Sequence, residues 1–133
     1  MVTIENLIKD GGNHNIIVPF DFKILLELFL HEEKVEELIR YILNGLRYNR
    51  VDGVSENSLY VKNKDENIYS LHISLRETKS KITYIIDLYK GNENLFKTDL
   101  KDNNKMVENA VKYVLKATLD LLFTNIRHDN LYK

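Results

Sequence analysis

The sequence predicts an α+β fold: two N-terminal helices, an antiparallel β-meander of three to four strands and a long C-terminal helix, packed as a two-layer sandwich. Two changes of rhythm predict it. Apolar residues recur at helical spacing between Phe22 and Leu46, alternate between Leu59 and Leu88, and return to helical spacing from Val107. A third observation sets the scale. No internal repeat, low-complexity block or Pro/Ser-rich linker divides the 133 residues, which read as a single domain over 1–133.

Residues 1–15 read as a loose lead-in ending in the turn cluster Gly11-Gly12-Asn13-His14-Asn15. Ile16-Ile17-Val18 reads as a short edge strand stopped by Pro19, which lacks the amide a central strand needs. Asp21 suits an N-cap, and Phe22, Leu25, Leu26 and Phe29 follow at i, i+3, i+4 and i+7. Ile24, Leu28 and Leu30 fill the remaining sides, so this helix is expected to be buried centrally or against a partner chain. The next stripe, Val35, Leu38, Ile39, Ile42, Leu43 and Leu46, is out of phase with the first, which predicts a break at His31-Glu32-Glu33. Gly45 weakens the last turn by about 1 kcal/mol relative to Ala.

Leu59/Val61, Tyr69/Leu71/Ile73/Leu75 and Ile82/Tyr84/Ile86/Leu88 predict three half-buried strands, and Leu95 to Leu100 a fourth. Aligning the apolar faces pairs Val61 with Tyr69 in the first hairpin, and Leu75 with Ile82 and Tyr69 with Leu88 in the second. The opposite face then carries Tyr60, Ser70, His72, Ser74, Arg76, Thr83, Asp87 and Tyr89, with Tyr60, Ile85 and Tyr89 available to a partner. Asp102, Asn103 or Asn104 caps the last helix. Its expected core stripe is Val107, Ala110, Val111, Val114, Leu115, Ala117/Thr118, Leu121 and Leu122. Glu108–Lys112 and Lys116–Asp120 are i,i+4 pairs on its wet side.

Composition excludes several classes. With 19 Lys+Arg against 20 Asp+Glu the net charge is −1, so nucleic-acid binding through bulk charge is not expected. The absence of Cys removes disulfides, thiolate zinc sites and Cys nucleophiles, and suits a reducing compartment. No apolar run approaches the ~20 residues of a membrane-spanning helix. The start MVTIENLIKD lacks the basic-then-apolar pattern of a secretion signal, so a cytoplasmic location without membrane is expected. Asn, Lys, Ile and Tyr total 50 residues against 2 Ala and 1 Pro, the signature of an AT-rich gene. Low-GC bacteria, their phages and some large viruses fit it.

Two constellations carry candidate chemistry. The first is the segment Arg40 to Arg50, with three of the five Arg and two of the eight Tyr. Arg40/Arg47 and Tyr41/Tyr48 are each seven apart, which stacks each pair on one helix side about 10 Å apart. Arg and Tyr are enriched at binding hot spots, so Arg40, Tyr41, Asn44, Arg47, Tyr48 and Arg50 form the candidate partner-binding set. The plainer account is a Glu36–Arg40 helix pair and two Tyr at the core rim. Glu32, Glu33, Glu36 and Glu37 open the same helix and complement its dipole. Acid first and base last suits specific protein docking.

The second constellation is Asp87 with Asp99-Leu100-Lys101 on the following strand. It resembles the D…(D/E)-x-K arrangement of restriction-endonuclease-like folds. The resemblance covers three residues and implies a divalent metal held by Asp87 and Asp99, with Lys101 steadying the attacking water. No Pro precedes Asp87 and no strand is expected after the last helix, both departures from that pattern.

The remaining candidates are weaker. His14, His31, His72 and His128 fall at no zinc spacing, and Gly11-Gly12 lacks a phosphate-loop frame. Asp99 to Asn104 lacks the Gly and Glu of a calcium loop. Ser70, His72 and Asp87 share a sheet face, but no nucleophile elbow exposes Ser70. The leading expectation is therefore a small non-enzymatic cytosolic binding protein without cofactor or metal. It would regulate or inhibit a protein partner, be encoded by a phage or mobile element, and self-associate or form a hetero-complex through helix 22–30 or the Arg/Tyr stripe. The alternatives are a metal-dependent nuclease and a nucleotide-sequestering module whose Arg/Tyr stripe holds phosphate and base.

Overall fold

The computed structural model of the chain describes residues 9–10, 15–63, 66–79, 81–102 and 106–131. The alternating segments build one six-stranded sheet in sequence order: β1 (Lys9–Asp10), β2 (Asn15–Pro19), β3 (Val54–Asn63), β4 (Glu66–Glu77), β5 (Ile82–Lys90) and β6 (Glu93–Asp102). β2 runs parallel to β3, and the other neighbouring pairs are antiparallel. A parallel pair needs a crossover. It consists of α1 (Phe22–Leu30) and α2 (Glu32–Tyr48), and α3 (Met106–Leu131) follows β6. The fold is α+β, as the change of rhythm predicts. No helix among the described residues is long and apolar enough to cross a membrane.

Local chemistry explains the boundaries. Asp21 Oδ1 accepts from the amides of Lys23 (3.0 Å) and Ile24 (3.4 Å), capping α1. His31 is extended (φ −103°, ψ 107°) and separates α1 from α2, where the phase break predicts it. After α2 the chain reverses at Asp52-Gly53, both with positive φ (54° and 76°), closed by paired Val51–Val54 backbone bonds of 2.9 and 3.0 Å. Asp-Gly is favoured where both central turn residues need positive φ. A Cβ on Gly53 would also lie 2.5 Å from the Glu77 carbonyl oxygen, so β4 approaches this turn because the residue is glycine.

The helices cover one sheet face. α2 lies over β3, α3 over β5 and β6, and α1 packs against both α2 and α3. Phe29 stacks on Phe123 with ring centroids 5.1 Å apart. All six apolar positions expected of α2 are buried, and Leu25 and Leu28 anchor α1. α1 is nevertheless not enclosed on all sides, because Leu30 is 60% exposed. The sheet contributes Ile16, Val18, Leu59, Val61, Tyr69, Leu71, Ile73, Leu75, Tyr84, Ile86 and Leu88 to the same core.

Four expectations need correction. The first hairpin pairs Val61 with Tyr69 as expected, but in the second Leu75 faces Tyr84 and Leu71 faces Leu88, two residues from the expected register. A two-residue slip keeps every side chain on its own face, so alternation cannot choose between the two. Ile16-Ile17-Val18 is not an outer edge, since Lys9–Asp10 pairs with Ile16 and Ile17. The rest of the expected lead-in, including Gly11 to His14, lies outside the described residues, as do the expected caps Asn103 and Asn104 and the Val107 and Glu108 side chains.

In α3 the stripe is rotated. Val111, Leu115, Thr118 and Leu122 are buried as expected, but Ala110 and Leu121 are exposed, and Leu119, Phe123 and Ile126 take their places. Apolar residues flank the true stripe on both sides, so periodicity alone leaves its phase open. Lys116, expected to pair with Asp120, instead reaches Glu32 at 2.8 Å and ties α3 to the first turn of α2. This contact holds Glu32 below the usual carboxylate range and Lys116 above the usual lysine range. Near its end, α3 is fastened to the sheet by Asp129, which accepts from the Tyr69 hydroxyl (2.5 Å) and faces Lys90 Nζ (2.8 Å). Burial and the adjacent carboxylate push the Tyr69 phenol up, while Lys90 and Tyr69 hold Asp129 down.

Candidate functional site

The α2 stripe reaches the surface but is divided among three places. Tyr41 and Tyr48 are 46% and 84% exposed, and Arg40, Asn44, Arg47 and Arg50 are exposed beside them. Tyr41, Asn44 and Tyr48 line a groove of about 260 Å³ together with Asn15, Ile16, Gly45, Asn49 and Asn57. Arg40 faces away from it, into a second groove of about 450 Å³ against α3, with Glu36, Ile39, Asn109, Lys112, Tyr113 and Lys116. Arg50 forms an ion pair with Glu77, and its Nε donates to the Arg47 carbonyl at 3.4 Å. That pairing binds Arg50 to the β4 end, so it contributes less freely to the stripe.

The groove floor is a polar defect in the core. β3 alternates, but its inward positions begin with Ser55 and Asn57 before reaching Leu59 and Val61. Asn57 is 3% exposed. Its Nδ2 donates to the Ile42 carbonyl of α2 at 2.9 Å, while its Oδ1 has no hydrogen-bond partner. A Cβ at Gly45 would stand 2.5 Å from that Nδ2. Gly45 is therefore the slot that admits the Asn57 amide, not a weakness of the helix. Asn49 closes α2 by donating from Nδ2 to the Gly45 carbonyl at 2.8 Å. Asn15 and Asn57 were not among the expected site residues. The signal that points to them is the interruption of the β3 apolar alternation by Ser55 and Asn57.

The uncovered sheet face carries a polar row. Ser58, His72, Asp87 and Lys97 lie opposite one another on β3, β4, β5 and β6. Ser58 Oγ is 2.8 Å from His72 Nδ1, and the rings of Tyr60 and Tyr89 meet His72 edge-on at 5.8 and 5.9 Å. The two-residue shift in β4–β5 sets His72, not Ser70, opposite Asp87 and places Ser70 opposite Tyr89, while Ser58 meets His72 through the expected β3–β4 register. Asp87 Oδ1 is buried without a hydrogen-bond partner. Asp99 sits opposite Ile85 and Lys101 opposite Thr83, on the same face as Asp87. Asp99 is therefore diagonal to Asp87, while Lys101 is two same-face steps, about 14 Å, from the Asp87 row. Lys97 is the lysine opposite Asp87. Among the described residues no group of three or more His, Asp or Glu gathers as a metal cage.

No family model matches the chain, and no curated protein or solved structure matches it.

Proposed function

We propose that the chain is a small non-enzymatic binding protein that regulates or inhibits a protein partner by docking it on the outer face of α2. The observation that carries this reading is the exposure of Tyr41 and Tyr48 beside Arg40 and Arg47, residue types that dominate binding hot spots. Val51 and Val54 follow at 72% and 40% exposure and extend the apolar surface beyond the helix end. Glu33, Glu36 and Glu37 are exposed at the opposite end, so the face presents acid and base in a fixed order that favours one docking orientation.

A photo-crosslinker at Tyr48 would capture the partner, which is then purified and titrated with the parent protein and with Arg47→Glu and Tyr48→Ala. Each variant is expected to bind at least about tenfold more weakly. Equal affinity for all three would sink the reading. Light scattering over a concentration series distinguishes a second copy of the chain from a different protein as the partner.

A second reading, a metal-dependent nuclease, is supported by the diagonal Asp87 and Asp99 and the unpartnered Asp87 oxygen. Two carboxylates suffice for a Mg²⁺ ion that keeps its waters and takes its other ligands from a phosphate substrate. Incubation with Mg²⁺ or Mn²⁺ and single- and double-stranded nucleic acids should then give cleavage that Asp87→Ala abolishes. Uncleaved substrates reject it.

A further inference from the structure

We infer that the groove between α2 and β2 is a binding site for a nucleobase, the flat neutral ring of a nucleoside or nucleotide. This goes beyond protein docking and does not depend on it. The floor carries a buried acceptor without a donor: Asn57 is 3% exposed and its Oδ1 is unpaired. Leaving such a group dry and unpaired is costly, so a shift of the groove floor that presented it to a ligand N–H would be favoured. All eight lining residues, Asn15, Ile16, Tyr41, Asn44, Gly45, Tyr48, Asn49 and Asn57, are uncharged, so the group that enters is neutral.

Shape and edge chemistry narrow the class. Tyr41 and Tyr48 are seven residues apart on one side of α2, which spaces two phenol side chains about 10 Å apart along the rim. Phenol faces stack on any base without regard to sequence. The amides of Asn15, Asn44 and Asn57 offer both donors and acceptors, which is how asparagine reads a base edge. At about 260 Å³ the groove is smaller than an ordinary drug-sized pocket and suits a single ring system. The Gly45 slot is the sequence feature that builds it, because any side chain there would displace the Asn57 amide.

The test titrates the purified full chain separately with adenosine, guanosine, cytidine, uridine and glucose, following amide and Asn side-chain signals by NMR. At least one nucleoside should shift the Asn57 side-chain and Gly45 backbone signals saturably and raise Tm with concentration. Tyr48→Ala, at an exposed position where folding is not at stake, should weaken that nucleoside about fivefold or more. Asn44→Ala should change the preference among bases. The inference is overturned if no nucleoside shifts these signals, if glucose shifts them equally, or if Tyr41→Ala/Tyr48→Ala binds as the parent does. These titrations need no protein partner, so their failure leaves the docking reading standing, and failure of docking leaves this site standing.

Discussion

Gly45 lies where α2 passes over Asn57 of β3, and its value is tertiary. In an isolated helix Gly45→Ala would be worth about 1 kcal/mol of stabilisation. Here the new Cβ would meet Asn57 Nδ2 at 2.5 Å, inside a core whose amide is already bonded to Ile42. Gly45→Ala is expected to destabilise the fold by about 1–3 kcal/mol, the range for overpacking. Denaturant unfolding checks it, and Gly45→Ala/Asn57→Ser should lose less than the sum of the two single changes, since shortening residue 57 removes the clash. The same residue shows the limit of sequence reading: propensity marks Gly45 as a soft spot, and only the facing strand shows what it admits.

At the scale of elements, α2 was wholly legible because its six apolar positions stand clear of polar neighbours on the other faces. α3 was legible as a helix but not in phase, since Leu121 and Leu122 are adjacent and equally apolar. The structure buries Leu119 and Leu122 and leaves Leu121 36% exposed. Leu119→Ala should therefore cost about 2–5 kcal/mol, and Leu121→Ala within about 1 kcal/mol. Equal losses in urea unfolding would place the stripe wrongly. The sheet behaves likewise: the buried faces of β3, β4 and β5 were readable, but the β4–β5 register was two residues out. That slip carried into the site, exchanging Ser70 for His72 as the residue opposite Asp87.

Over the whole molecule, Asp129–Lys90 ties α3 to the sheet and Glu32–Lys116 ties α3 to α2, and both pairs weaken in acid. Asp129 and Glu32 have lowered folded values, so their contribution is present above the unfolded carboxylate pKa of about 4 and is lost as pH falls through the folded values. Lys116 is raised, so its share is present below about pH 10.4 and is lost as pH rises through the folded value. Glu32–Lys116 is solvent-screened and should matter little. Asp129 is more sheltered and bonds both Tyr69 and Lys90. Asp129→Asn should cost about 1–2 kcal/mol at neutral pH and flatten the acid limb of the stability curve. Chemical denaturation between pH 3 and pH 7 tests this, and parallel curves for parent and variant would refute it.

The helix, helix, meander, helix order, the α1–α2 break, the buried faces of β3, β4 and β5 and the Arg/Tyr segment follow from the sequence, because burial periodicity is a local property of neighbouring residues; β1 does not, since Lys9–Asp10 carries no apolar pattern. The parallel β2–β3 pairing, the β4–β5 register, the phase of α3 and the Asn57 groove were decided by packing between distant segments. In each of those cases two or more arrangements satisfy the local pattern equally, and only the fit of one surface against another separates them.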